Sequence, residues 1–173
     1  TIIKIDNKSN LVFDKSAARK RIVKKIGLQL KNDDFYEYSE ETNNIFNEVA
    51  KIVKNNRGFL LIADYGYIKP TNRNSLQSIK DNKSTEVLSN IGEQDITYHV
   101  NFNQLLLIAK KVGLKNINVS TQSNFLQMNG INVRAEQLMI SNPKSKDKIM
   151  DQLSRLTNTD KMGNLFKIFE AEY

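Results

Sequence analysis

The stretch that decides the fold is Asn-Asn-Arg-Gly-Phe-Leu-Leu-Ile-Ala-Asp-Tyr-Gly-Tyr, residues 55–67. A turn that contains Gly58 leads into a continuous apolar run from Phe59 to Ala63, and Asp64 follows at once. Such a run is typical of a central parallel strand that is covered on both faces. We therefore predict a buried strand over 59–63, with Asp64 directly after it.

The residues before this turn predict an amphipathic helix over 40–55, with Ser39 as its N-cap and the turn at Gly58 as its stop signal. The apolar positions that recur at helical spacing are Ile45, Val49, Ile52 and Val53. A helix, a short turn and an apolar strand in this order indicate an α/β protein.

The rest of the sequence extends the same pattern. The expected elements are a hairpin over 1–13, helices over 102–112, 125–140 and 146–156, and strands over 116–121 and 165–172. Residues 69–94 are polar, so we predict a long loop or lid there. This order matches the second half of an open α/β sheet, and residues 1–173 are expected to form one incomplete domain.

Composition excludes several classes of protein. The 173 residues contain no cysteine, which excludes disulfides, cysteine nucleophiles and zinc ribbons. The longest apolar run has only five residues, against the ~20 that a membrane-spanning helix needs. The net charge is +7, but the basic residues are mostly scattered lysines. We read this charge as a solvated surface and predict no nucleic-acid partner.

The strongest candidate site is the end of the apolar strand, because open α/β sheets bind ligands beyond the carboxyl ends of their strands. Asp64 could orient a cationic substrate or act as a base, and Tyr65 and Gly66 could contact it. The structural alternative is that Asp64 caps a loop and Tyr65 packs. No Gly-x-Gly-x-x-Gly or phosphate-loop motif is present, so no cofactor-binding residue is predicted.

Two further segments supply candidate residues. His99 is the one histidine of the sequence and follows Asp95, at the junction of the predicted loop and the next helix. It has no cysteine or serine elbow with which to build a triad, and no metal site is predicted. Gln122 is expected to face the same crevice as Asp64. Structural roles compete here too: a packed histidine, a turn at Asp95, and helix capping by Ser123.

Five ordered motifs resemble the MidA family of S-adenosylmethionine-dependent methyltransferases, from about Glu37 to the C-terminus. They are Gly58 with 61–66, Ser75-Leu76, 92–102, 122–126 with Gly130-Ile131, and 162–167. The resemblance covers the family's C-terminal half only. It implies the C-terminal part of a Rossmann-like class I methyltransferase fold, with a mixed sheet, helices on its faces and a long loop insertion.

The resemblance also implies a function. Relatives include the mitochondrial complex I assembly factor that methylates an arginine, so the expected substrate is a protein arginine, with a respiratory complex I subunit as one candidate. Asp64 and His99 would be catalytic, and Tyr65, Gly66, Asp95 and Gln122 would bind substrate. The family's methyl-donor loop is expected upstream of Thr1, so this chain alone should not bind S-adenosylmethionine.

Two interpretations remain open from the sequence. The chain could be part of a methyltransferase that is inactive alone and pairs with a separate N-terminal half. Alternatively, it could be a non-enzymatic protein-binding module that kept the substrate lobe. The expected compartment is the bacterial cytoplasm, with the mitochondrial matrix as the alternative.

Overall fold

A computed structural model describes residues 1–17, 20, 23–24, 36–69 and 73–173. Its contacts divide the chain into two compact units. The smaller unit combines Thr1–Tyr38 with Asn72–Tyr98, and the larger combines Ser39–Thr71 with His99–Tyr173. The densest group of basic residues, 19–25, lies largely outside the described residues.

The smaller unit holds two antiparallel sheets. The predicted hairpin is confirmed as β1 (Ile2–Ile5) and β2 (Leu11–Asp14). The second sheet has the order β5-β4-β6, formed by β4 (Gln77–Lys80), β5 (Lys83–Thr85) and β6 (Asp95–Thr97). The prediction of a loop throughout 69–94 is wrong at β4 and β5, because polar strands this short lack the apolar alternation from which strands are predicted.

The larger unit is built on a mixed sheet of order β7-β3-β9-β8. Its strands are β3 (Phe59–Tyr67), β7 (Val100–Asn101), β8 (Lys115–Thr121) and β9 (Phe166–Glu172). β9 runs antiparallel to both β3 and β8, while β7 pairs parallel with the last two residues of β3. The predicted α/β class with a mixed sheet is confirmed.

Six α-helices are described in the larger unit. They are α1 (Glu40–Asn55), α2 (Phe102–Val112), α3 (Gln122–Met128), α4 (Ile131–Ser141), α5 (Lys146–Thr157) and α6 (Met162–Leu165). A 3₁₀ turn (Pro143–Ser145) precedes α5. Gly130 separates α3 from α4 in the left-handed conformation at φ 81°, so the helix predicted over 125–140 is divided into two helices.

The core lies between one face of the sheet and helices α1 and α2. Leu60, Ile62, Phe169 and Ala171 carry that face, which we call the helix-packed face. The ring of Phe169 is fully buried and meets Phe46 of α1 edge-on, with 5.4 Å between ring centroids. α1 has the predicted bounds, but its buried residues are Phe46, Ala50 and Val53, whereas Ile45 and Ile52 are exposed.

The opposite face of the sheet, here called the open face, is only partly covered. Phe59 and Leu61 are 60% and 49% exposed, although Ile168 on the same face is buried. Phe125 of α3 shares a cavity with Phe59, which places α3 over part of this face. The prediction that the strand is covered on both faces is therefore wrong within the described residues.

One edge of β3 has little pairing. From Phe59 to Tyr65 the strand pairs with β9 on one side, and on the other side β7 reaches only Gly66 and Tyr67. No other strand among the described residues pairs along this edge. Free backbone donors and acceptors of this kind are a template for another strand.

Candidate active site

Asp64 lies within β3 and not after it, because the strand continues to Tyr67. The predicted strand ended too early, at Ala63, because the polar Asp64 follows the apolar run directly. Asp64 pairs across the sheet with Lys167, and its carboxylate accepts a hydrogen bond from the Tyr65 N–H at 2.7 Å. The side chain is exposed, so it is free to meet a cation at this end of the strand.

Tyr65 and His99 come together, as the candidate site requires. Their rings stack with 6.5 Å between centroids and 18° between planes. Phe166 pairs with Tyr65 across the sheet, and the centroids of their rings are 4.0 Å apart. The three rings form an aromatic group, Tyr65–His99–Phe166, that presents flat surfaces at the carboxyl end of β3.

Asp64 and this aromatic group lie on opposite faces of β3, because successive side chains of a strand alternate. Tyr65 belongs to the open face together with Phe166, and Asp64 belongs to the helix-packed face together with Lys167. The structure thus groups Tyr65 with His99, and it places Asp64 at the same end of the strand but on the other side.

Gly66 has a packing role that the sequence did not reveal. A Cβ atom at this position would lie 2.3 Å from the carbonyl oxygen of Val100 and 2.6 Å from the Phe102 ring. The missing side chain therefore lets β7 and α2 approach the strand. Substrate contact at Gly66 stays a prediction.

Gln122 and Asp95 have different surroundings. Gln122 is buried at the start of α3, and its Nε2 donates to the carbonyl of Leu156 in α5 at 2.9 Å. The cap of α3 is Thr121 and not Ser123, since the Thr121 hydroxyl accepts from the Asn124 N–H. Asp95 is exposed at the start of β6, in the smaller unit. Substrate roles for both remain predictions.

Lys167 is a residue that the sequence reasoning passed over. Burial lowers its pKa, and its ammonium donates to the carbonyl of Asn164. Lys167 lies between Asp64 and Thr121 in the register of the sheet, so a titratable group stands beside the candidate carboxylate. Its place in the closing strand, directly after Phe166, was the available signal.

Among the residues that the structure describes, nowhere do three or more His, Asp or Glu side chains gather closely enough to hold a metal ion. None of the described helices is both long and apolar enough to cross a membrane.

Comparison with known proteins identifies the family. Residues 2–120 match a family model described as "Putative S-adenosyl-L-methionine-dependent methyltransferase". The chain belongs to this methyltransferase family. The resemblance to the MidA family that the five motifs indicated is thus confirmed.

Curated relatives agree with this family. The chain is 30% identical to the protein arginine methyltransferase NDUFAF7, mitochondrial, of Xenopus tropicalis, over 73% of the chain and 30% of the relative. It is 28% identical to the NDUFAF7 homolog, mitochondrial, of Caenorhabditis elegans, over 76% of the chain and 31% of the relative. The chain thus spans less than a third of the length of these relatives.

Solved structures show the same fold. A protein from Burkholderia thailandensis matches 99% of the chain and 48% of its own length, with a TM-score of 0.86 and 19% identity. A second structure from that organism, bound to S-adenosyl-homocysteine, matches 99% of the chain and 46% of its own length, with a TM-score of 0.83 and 20% identity. The methyltransferase fold is therefore shared over nearly the whole chain.

The described residues do not fit an S-adenosylmethionine site of the usual kind. Such sites in α/β folds use a glycine-rich turn that follows a strand and opens a helix. Gly66 lies inside β3, Gly113 ends α2, Gly130 separates two helices and Gly163 lies in α6. None of the described glycines opens a helix directly after a parallel strand.

Proposed function

We propose that this chain provides the substrate-side part of an S-adenosylmethionine-dependent methyltransferase that acts on an arginine of a protein. The observation that carries the proposal is the joint presence, at the carboxyl end of β3, of the Asp64 carboxylate and the Tyr65–His99–Phe166 group. Membership of the methyltransferase family, and relatives named as protein arginine methyltransferases, support it.

The chemistry asked of these residues is the binding and orientation of a guanidinium. The flat rings of Tyr65 and His99 provide a stacking surface for it, while Asp64, on the other face of β3, contributes negative charge at the same end of the strand. His99 is the candidate acceptor for the proton that the nitrogen loses. The methyl group itself comes from the cofactor.

The donor site is proposed to lie outside this chain. No described turn has the form that binds the cofactor, and the edge of β3 from Phe59 to Tyr65 is available for pairing with a separate N-terminal half. Calorimetric titration of the chain with S-adenosylmethionine should show no tight binding. A micromolar or tighter dissociation constant would contradict this part of the proposal.

The decisive experiment mixes this chain with the donor-binding half of a family member and measures methyl transfer to arginine peptides. Transfer is expected only in the mixture. In that mixture Asp64→Asn should lower kcat about 100-fold or more, because a neutral amide no longer offsets the guanidinium charge. Asp81→Asn, an exposed turn residue of the smaller unit, is the matched control. Unchanged turnover in Asp64→Asn would remove that residue from the mechanism.

A non-enzymatic binding module is the second candidate. The exposed Phe59 and Leu61 and the unpaired edge of β3 favour it, because they suit contact with another polypeptide. A mixture that forms a complex but transfers no methyl group would favour this alternative over the enzyme.

The partner and compartment are also proposals. A respiratory complex I subunit is the candidate substrate protein. Bacterial cytoplasm is the first prediction for the compartment and the mitochondrial matrix is the alternative. The curated relatives are named as mitochondrial, which supports the alternative.

A further inference from the structure

Gln122 is a buried polar side chain that joins α3 to α5. Its Nε2 donates to the carbonyl of Leu156 at 2.9 Å. Leu156 lies in the last turn of α5, where the carbonyl groups have no following helical turn to accept from. The N–H that would continue the helix, from Asp160, donates instead to the side chain of Asn158. Gln122 therefore satisfies the C-terminal end of α5 from a neighbouring helix.

The end of α5 is in turn packed tightly against α6. A Cβ atom at Gly163 would lie 2.3 Å from the carbonyl oxygen of Thr157 and 2.7 Å from that of Asn158. The Gly163 N–H donates to the Asn158 carbonyl at 3.0 Å. Because protein interiors packed this closely transmit small displacements, the position of α6 depends on where α5 ends.

α6 leads directly into the aromatic group of the candidate site. It ends at Leu165, and the next residue, Phe166, is the first residue of β9. The ring of Phe166 lies with its centroid 4.0 Å from that of Tyr65. A shift of α6 would therefore move Phe166 relative to Tyr65 and disturb the surface that Tyr65 shares with His99.

The sheet holds α3 beside the same end of β9. Thr121, directly before Gln122, caps α3 and pairs across the sheet with Lys167, directly after Phe166. The helices α3, α5 and α6 also pack on one another. Since the sheet holds the start of α3, the hydrogen bond from Gln122 ties the end of α5 to a fixed point.

We propose that Gln122 is a positioning residue for the candidate site. Its hydrogen bond to Leu156 sets the end of α5, and the end of α5 sets α6 and Phe166. The inference rests on the proposed function, because it takes the Tyr65–His99–Phe166 group as the surface that meets the substrate. It gives Gln122 a role that requires no contact with substrate, unlike the substrate-binding role expected from the sequence.

The test replaces Gln122 with methionine in the full chain and records the NMR signals of the aromatic rings. Methionine is similar in size to glutamine but donates no hydrogen bond, so the Leu156 carbonyl loses this donor while the space stays filled. The ring-proton signals of Tyr65 and His99 should move towards the positions of unstacked rings, because Phe166 shifts. His99 is the one histidine of the sequence, so its ring signals are assigned without further variants.

Gln127→Met is the matched control. The Gln127 amide donates to the Ser123 hydroxyl within α3, so this substitution removes a side-chain hydrogen bond of the same helix without reaching α5. The Tyr65 and His99 signals should stay at their wild-type positions in this variant. Unchanged ring signals in folded Gln122→Met, even with a lowered melting temperature, would show a purely structural role and refute the proposal. Equal changes in both variants would also refute it.

A second variant covers the case in which Gln122→Met does not fold. Gln122→Asn keeps a polar amide at the start of α3 but is one methylene too short to reach Leu156, so it should change the same ring signals. In the mixture with the donor-binding half, both Gln122 variants should lower kcat/KM for an arginine peptide about tenfold, because a displaced binding surface misplaces the substrate. A mixture that transfers no methyl group would count against the proposed function, whereas the ring signals test the positioning role on this chain alone.

Discussion

The two faces of β3 differ in how the described chain covers them. Ile62 and Leu60 on the helix-packed face join a core that contains the fully buried Phe169. Phe59 and Leu61 on the open face are equally apolar, yet they are 60% and 49% exposed. A strand can thus have the composition of a doubly covered strand while the described part of the chain covers only one side. The exposed side is the one suited to a partner.

The largest expected effect follows from this difference. Phe169→Ala should lower the free energy of unfolding by about 3–5 kcal/mol, because it removes a fully buried ring and leaves a cavity. Phe59→Ala should cost less than about 1 kcal/mol, since its ring already meets solvent. Urea unfolding of the two variants measures both values, and equal losses would show that the faces do not differ.

Close packing at the end of β3 provides the second prediction. Gly66→Ala should lower the free energy of unfolding by about 1–3 kcal/mol, because the added Cβ would lie 2.3 Å from the Val100 carbonyl oxygen and 2.6 Å from the Phe102 ring. Gly58→Ala is the matched control, as its nearest neighbour would be 3.7 Å away. Thermal unfolding should separate the two, and a wild-type melting temperature for Gly66→Ala would mean that β7 and α2 lie further away.

The sequence predicted α1 and α2 well because helical spacing and caps are local signals. α1 and α2 have the predicted bounds, and Ser39 and Asn101 cap them through hydrogen bonds to the N–H groups of Thr42 and Gln104. The buried side of α1 was less predictable. Phe46 and Ala50 face the sheet and Ile45 does not, because tertiary packing selects among apolar stripes that lie one residue apart.

The sequence identified the segments that form the candidate site but not how their side chains are arranged. The segments that contain Tyr65 and His99 were both identified, and the structure stacks their rings. Asp64 was expected to face the same crevice, but the strand extends past it, and alternation turns its side chain to the other face. Gln122 was a candidate ligand because it follows a strand, and its bond to Leu156 depends on a helix more than thirty residues away.

The open face and the unpaired edge of β3 should also make the chain self-associate. Leu61→Lys should weaken this association about tenfold, equivalent to about 1.4 kcal/mol, because a charge on an exposed strand opposes pairing. Ile45→Lys places the same charge on an exposed position of α1 and should have little effect. Sedimentation over a concentration series measures the association, and a wild-type monomer at high concentration would contradict the expectation.

The smallest predicted effect concerns the N-caps of two helices, α1 on the helix-packed face of the sheet and α3 on the open face. Ser39 caps α1 and Thr121 caps α3, each through its side-chain oxygen. Replacing either cap with alanine removes one hydrogen bond from a helix N-terminus, which costs about 1 kcal/mol in a helix that unfolds with the whole domain. Ser39→Ala should lower the global free energy of unfolding by that amount, because α1 packs directly on the core.

Thr121→Ala should act differently if α3, over the half-covered face, opens locally before the domain unfolds. Amide hydrogen exchange should then accelerate within α3 by about fivefold, which corresponds to about 1 kcal/mol, while the urea midpoint moves less than in Ser39→Ala. Exchange that accelerates equally throughout the larger unit would mean that both faces unfold as one, and that their difference is confined to exposure.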